Sequence, residues 1–152
     1  MFGDRDILKV FYLVTLYIKY TRALIFQNFF KVTVTSVVGH VHTLDFDGNH
    51  QRGDPANLYT AATKKVAEET SEEHGIEAHL VAAAQDCHIL FLWLDCDREG
   101  ENICYEVIQV CRKAGLFVDD ASIFRAKFSA LTESHIKAAW QQPGKPFTLP
   151  KP

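Results

Sequence analysis

Six consecutive apolar residues, Ile89-Leu90-Phe91-Leu92-Trp93-Leu94, run directly into Asp95-Cys96-Asp97-Arg98-Glu99-Gly100-Glu101. A strand with one wet face alternates apolar and polar side chains. A continuous apolar run of this length instead suits a strand covered on both faces, central in a parallel sheet. Acids at its C-terminal end fall where open α/β sheets bind their ligands, outside the carboxyl ends of the strands.

The surrounding pattern agrees with that placement. Lys31 to Val38 alternates and then turns apolar, which reads as a strand, with Gly39-His40-Val41 as a turn after it. Thr43 to Pro55 is rich in Asp, Asn and Gly and reads as loop. Asn57 to His74 has the composition of a solvated helix, with Lys64, Lys65, Glu68, Glu69, Glu72 and Glu73 at helical spacings. Ile76 to Gln85 predicts a short helix with Ile76, Leu80, Val81 and Ala84 on one face. Asn102 to Ala114 predicts an amphipathic helix ending in Arg112-Lys113, with Gly115 as its stop. Ser122 to Phe128 predicts a strand with Phe124, Ala126 and Phe128 on one face and Arg125 and Lys127 on the other. Thr132 caps a last helix, Glu133 to Gln141. The fold class is therefore α/β, a mostly parallel sheet flanked by helices. Residues 1–30 stay unassigned, 31–142 form the domain, and 143–152 are a Pro-rich tail.

Length and charge bound the function classes. A chain of 152 residues suits one domain with a sizeable core. Its formal net charge of −3 is not that of a dedicated basic nucleic-acid-binding domain. A site built from carboxylates and cations would make the balance negative while reversing it locally. The cysteines, Cys87, Cys96, Cys104 and Cys111, include no C-x-x-C pair, so they are read as free thiols and not a zinc ribbon. Val10 to Ile18 is apolar but shorter than the roughly 20 residues of a membrane span; it suits a strand or a buried helix.

Asp95, Asp97 and Glu99 alternate. If the backbone stays extended through them, the three carboxylates point to one side and raise one another's pKa unless a cation relieves them. Mg²⁺ is the fitting cation, being hard, oxygen-liganded and content with one or two carboxylates plus water and phosphate. The alternative is an acidic turn that only caps a helix.

Leu92 to Ile103 resembles the D-x-D-R-E-G-E segment of type IA DNA topoisomerases, above all the eukaryotic topoisomerase III branch. Thr35-Ser36-Val37-Val38-Gly39-His40-Val41 resembles that family's T-S-V-x-G-H-V block, and Phe124-Arg125-Ala126-Lys127-Phe128-Ser129-Ala130-Leu131-Thr132 its F-R-A-R-F-S-x-I-T block. The resemblance implies a Toprim (Rossmann-like) fold. It implies Asp95, Asp97 and Glu99 as catalytic Mg²⁺ ligands, and His40 and Arg98 at the DNA. Arg125 could contact DNA or the acidic cluster. Glu101 and Asn102 would cap the helix. The implied chemistry is cleavage and religation of single-stranded DNA, or RNA, in the nucleus or cytoplasm, with the nucleus preferred and no membrane involved. Other topoisomerase domains would supply the nucleophilic tyrosine. Met1 to Phe30 holds nothing like the family's A-E-K-P-S segment, so the start is read as truncated or divergent, and the chain alone is expected to be inactive. The alternative from another class is a non-catalytic Toprim module that binds metal and nucleic acid or a protein partner. A primase-like or nuclease domain ranks below both.

Overall fold

The computed structural model describes residues 9–14, 22–25, 28–46 and 61–146. Among these, one sheet of five strands has the order β2-β3-β1-β6-β7, built from β1 (Lys9–Val14), β2 (Arg22–Ile25), β3 (Asn28–Thr35), β6 (Ile89–Trp93) and β7 (Ile123–Arg125). The pairs β1 with β3, β1 with β6 and β6 with β7 are parallel, and only β2 runs antiparallel, against β3. The apolar run of β6 therefore lies inside the sheet, between β1 and β7, as its composition predicts.

Helices cover both faces. Along β6, Leu90 and Leu92, with Leu94 just beyond the strand, pack with Leu80 and Ala84 of α2 (Ile76–Ala84) and with Ile103, Cys104, Val107 and Cys111 of α3 (Arg98–Lys113). Phe91 and Trp93 point the other way, into a layer with Phe124, Phe128 and α4 (Glu133–Gln141), where Trp93 and Trp140 have ring centroids 5.7 Å apart. Burying a large apolar side chain stabilises by about 1.5–3 kcal/mol, and all five residues from Leu90 to Leu94 are buried.

Several expectations change. The sheet takes in β1, β2 and the first residues of β3, all from the unassigned 1–30 segment, and β1 is its middle strand. The loop expected over 43–55 begins as a strand. Here β4 (His42–Phe46) pairs antiparallel with β5 (Thr63–Ala67), which occupies part of the stretch expected to be helix; 47–60 lie outside the described residues. Asp45 stands opposite Lys64 in that register, a cross-strand charge match that supports the ribbon. The helical charge spacing misled because it spans two elements. Glu68 ends the ribbon and caps the short α1 (Glu69–Glu73), accepting from Thr70 N at 2.9 Å and Ser71 N at 3.4 Å. At the other end, Gly144 pairs with Arg125, N to O at 2.9 Å in both directions, so the start of the Pro-rich tail is fastened to β7. Residues 147–152 lie outside the described residues. No described helix is long and apolar enough to cross a membrane.

Candidate functional site

Parallel strands put the C-terminal ends of β3, β6 and β7 on one edge of the sheet. The turn after β3 carries His40, the turn after β6 carries the acids, and the segment after β7 carries Phe128 to Leu131. Asp95, Cys96 and Asp97 line an open cleft of about 450 Å³ together with Phe128, Ser129, Ala130 and Leu131.

The acidic segment does not stay extended. Helix α3 begins at Arg98, four residues before the expected Asn102, and Asp97 is its N-cap, with Oδ1 accepting from Gly100 N at 2.6 Å. Asp95 is therefore on the strand's exit, Asp97 at the cap and Glu99 in the first helical turn. Glu99 does not line the cleft; its Oε1 faces His40 Nε2 at 3.5 Å, with the Glu99 side chain 70% exposed. Among the described residues, no three His, Cys, Asp or Glu side chains converge tightly enough to hold a metal ion. The expected convergence of three carboxylates is thus replaced by two in one cleft and a third turned toward the histidine. Arg98 is exposed in the same helical turn.

Two hidden features hold this turn in place. A Cβ on Gly100 would lie 2.1 Å from Asp95 O, so only glycine lets the helix start against the strand's exit. Arg125, expected at the nucleic acid or the acidic cluster, is wholly buried and serves the cluster's frame. Its Nη2 donates to Asp95 O at 2.7 Å, Nη1 to Leu94 O at 2.7 Å and Ala126 O at 2.8 Å, and Nε to Glu101 Oε1 at 2.9 Å. That side chain cannot reach DNA without breaking these bonds. Glu101, expected as a cap, is its ion-pair partner, 20% exposed.

The residue that sequence reasoning missed is Glu106. It is buried inside α3 and accepts from Val41 N at 2.8 Å and Asn102 Nδ2 at 3.1 Å, tying the turn after β3 to the helix. Asn102 is likewise not a cap, because the helix starts a turn earlier. The available signal was a carboxyl on the apolar stripe of Ile103, Val107 and Val110. Close by, burial pushes the Cys104 thiol up to about 12, against an ordinary 9.0, although the Arg125 charge pulls it down.

The Toprim domain family matches residues 19–131. DNA topoisomerase 3-beta of Drosophila melanogaster is 41% identical over 117 residues, covering 74% of this chain and 13% of the relative. DNA topoisomerase 3-beta of Oryza sativa subsp. japonica is 46% identical over 114 residues, 73% of this chain and 13% of the relative. DNA topoisomerase 3-beta-1 of Homo sapiens is 40% identical over 123 residues, 76% of this chain and 14% of the relative. The chain thus spans only 13% to 14% of the length of these curated relatives.

Proposed function

The chain belongs to the Toprim domain family, and on that premise we propose that it acts as the Toprim part of a type IA DNA topoisomerase of the topoisomerase III kind, supplying the Mg²⁺-binding acids for cleavage and religation of single-stranded DNA. The observation that carries this reading is the pairing of Asp95 and Asp97 in one open cleft at the C-terminal end of an inner parallel strand.

The donor set fits Mg²⁺. Asp95 and Asp97 offer hard carboxylate oxygens to a cleft open enough for water and a phosphate, which is how this ion is usually held. A cage of three protein carboxylates is not required, and Glu99, two residues past Asp97 in the same first turn, is a further acid for a water or a second contact. Bound there, the cation would neutralise phosphate oxygens at a reacting phosphodiester. The protein's own part is to hold the two acids apart from bulk motion. Asp97 is oriented by the Gly100 amide, and the Asp95 backbone by Arg125. His40 and the exposed Arg98 stand beside the acids for the substrate strand.

Catalysis further needs a tyrosine nucleophile, which this reading assigns to other topoisomerase domains, in the nucleus by preference. The test pairs two assays. The chain should bind a single-stranded oligonucleotide more tightly with Mg²⁺ than with EDTA, and should leave supercoiled plasmid unrelaxed. Binding that ignores Mg²⁺, or robust relaxation by these 152 residues, contradicts it.

A further inference from the structure

The Gly39-His40-Val41 turn hangs on one buried carboxylate. The Glu106 side chain is 3% exposed, although it lies on a helix whose other acids face solvent or an arginine. Its Oε2 accepts from Val41 N at 2.8 Å, with His42 N at 3.4 Å. Its Oε1 meets His40 Nδ1 at 3.2 Å and accepts from Asn102 Nδ2 at 3.1 Å. A carboxylate brings lone pairs to such a contact and no proton, so the pairing with Nδ1 is a hydrogen bond only when the imidazole proton sits on Nδ1. The Asn102 amide also lies 3.4 Å from Nδ1, but its shorter contact is the one to Glu106. With the proton on the other nitrogen, Nδ1 and Oε1 would face each other as two acceptors in a closed space.

The far nitrogen is set by the same bond. Nε2 points out of the network toward the acidic turn, 3.5 Å from Glu99 Oε1, which is longer than a normal hydrogen bond. The Glu99 side chain is 70% exposed and can turn into solvent, whereas the Glu106 side chain, 3% exposed, cannot move away from Nδ1. We propose that Glu106 is a positioning residue: it fixes His40 as the Nδ1–H tautomer and presents Nε2 to the acidic turn as a hydrogen-bond acceptor. An acceptor in that place suits an O–H group, whether water or a nucleotide hydroxyl, and not a phosphate oxygen. What Nε2 meets rests on the reading of the acidic turn as a nucleic-acid site; the hold of Glu106 on His40 does not.

The experiment is imidazole ¹⁵N NMR of the whole chain in mildly alkaline buffer, on wild type and on Glu106→Gln. Wild-type His40 should show its proton on Nδ1. In the variant, glutamine has a single acceptor oxygen, which the Val41 amide claims. Its NH₂ then faces Nδ1, and the proton should move to Nε2, exchanging the two nitrogen signals. A residue that merely fills space would leave the tautomer where it was. Wild-type His40 protonated on Nε2 overturns the proposal, as does a folded Glu106→Gln chain with the wild-type tautomer. If the variant does not fold, the wild-type spectrum alone decides. A wild type that shows the Nδ1–H tautomer but binds no Mg²⁺ contradicts the functional reading and supports the role of Glu106.

Discussion

Replacing Arg125 with methionine separates a frame residue from a nucleic-acid contact. Methionine keeps the length and much of the volume of the side chain but removes every donor. Wild-type Arg125 is fully buried and donates to three backbone carbonyls, Leu94 O, Asp95 O and Ala126 O, and to the carboxylate of Glu101. Removing one partner of a buried ion pair costs about 3–5 kcal/mol, because the other charge is left in place. Glu101 is 20% exposed, so water relieves part of its loss and argues for the lower end; the stranded carbonyls argue for the upper. In a chain of this size each kcal/mol moves Tm by roughly 2–4 °C, which gives a drop of about 6–20 °C. Lys127→Met, two residues on and exposed, should change stability by no more than about 0.5 kcal/mol. Thermal denaturation followed by circular dichroism reads both. If Arg125→Met melts with wild type while oligonucleotide binding collapses, Arg125 is a nucleic-acid contact and not a frame residue.

Gly100→Ala should cost more than the helix propensity of alanine returns, because its Cβ would meet the Asp95 carbonyl at 2.1 Å; loss of Mg²⁺ affinity with α3 still helical by NMR is the expected result, and unchanged affinity contradicts it. Burial raises the Cys104 thiol to about 12 and the Cys111 thiol to about 11, so under native conditions alkylation should label the exposed Cys96 first and these two last, as mass spectrometry of digests would report. The same raised values oppose unfolding at neutral pH: their contribution is intact below pH 9.0, the ordinary thiol value, and fades as pH climbs toward the folded values, so alkaline denaturation should begin above pH 9.0 and Cys104→Ala should blunt it. The Thr70 hydroxyl and the amides of Ser71 and Thr70 hold Glu68 below the usual carboxylate range, so the α1 cap is formed above the ordinary value and lost as pH falls through the lowered one; amide exchange in Ser71 should quicken there, and Glu68→Gln should remove that step.

The legible parts of this fold were those whose period was unbroken. The run of Leu90 to Leu94 announces an inner strand because a helix layer on each face leaves no position for a polar side chain, and α2 and α3 show their apolar stripes. The ribbon of β4 and β5 was illegible because its faces are mostly exposed, so nothing imposes alternation on it. The middle strand β1 had the right composition for a strand, but its partners, β3 and β6, lie far along the chain, and register with them is not a local property. Within the site, the acids were visible and their direction was not. Extended spacing assumed a strand through Glu99, whereas the Asp97 cap bends the chain into α3 two residues earlier. Arg125 was expected at DNA or the acidic cluster because strand alternation says which residues share a face, not which face is covered. Here the second face is closed by the exit of β6 and the first turns of α3.

Whether Asp95 and Asp97 take a cation decides what the acidic turn is for. Isothermal titration of the chain with Mg²⁺ should show binding that Asp95→Asn weakens, Asp97→Asn weakens and the double variant abolishes. Arg98→Ala, on the exposed side of the same helical turn, should leave the isotherm in place. Identical isotherms for wild type and the double variant would make the acidic turn a helix cap and nothing more.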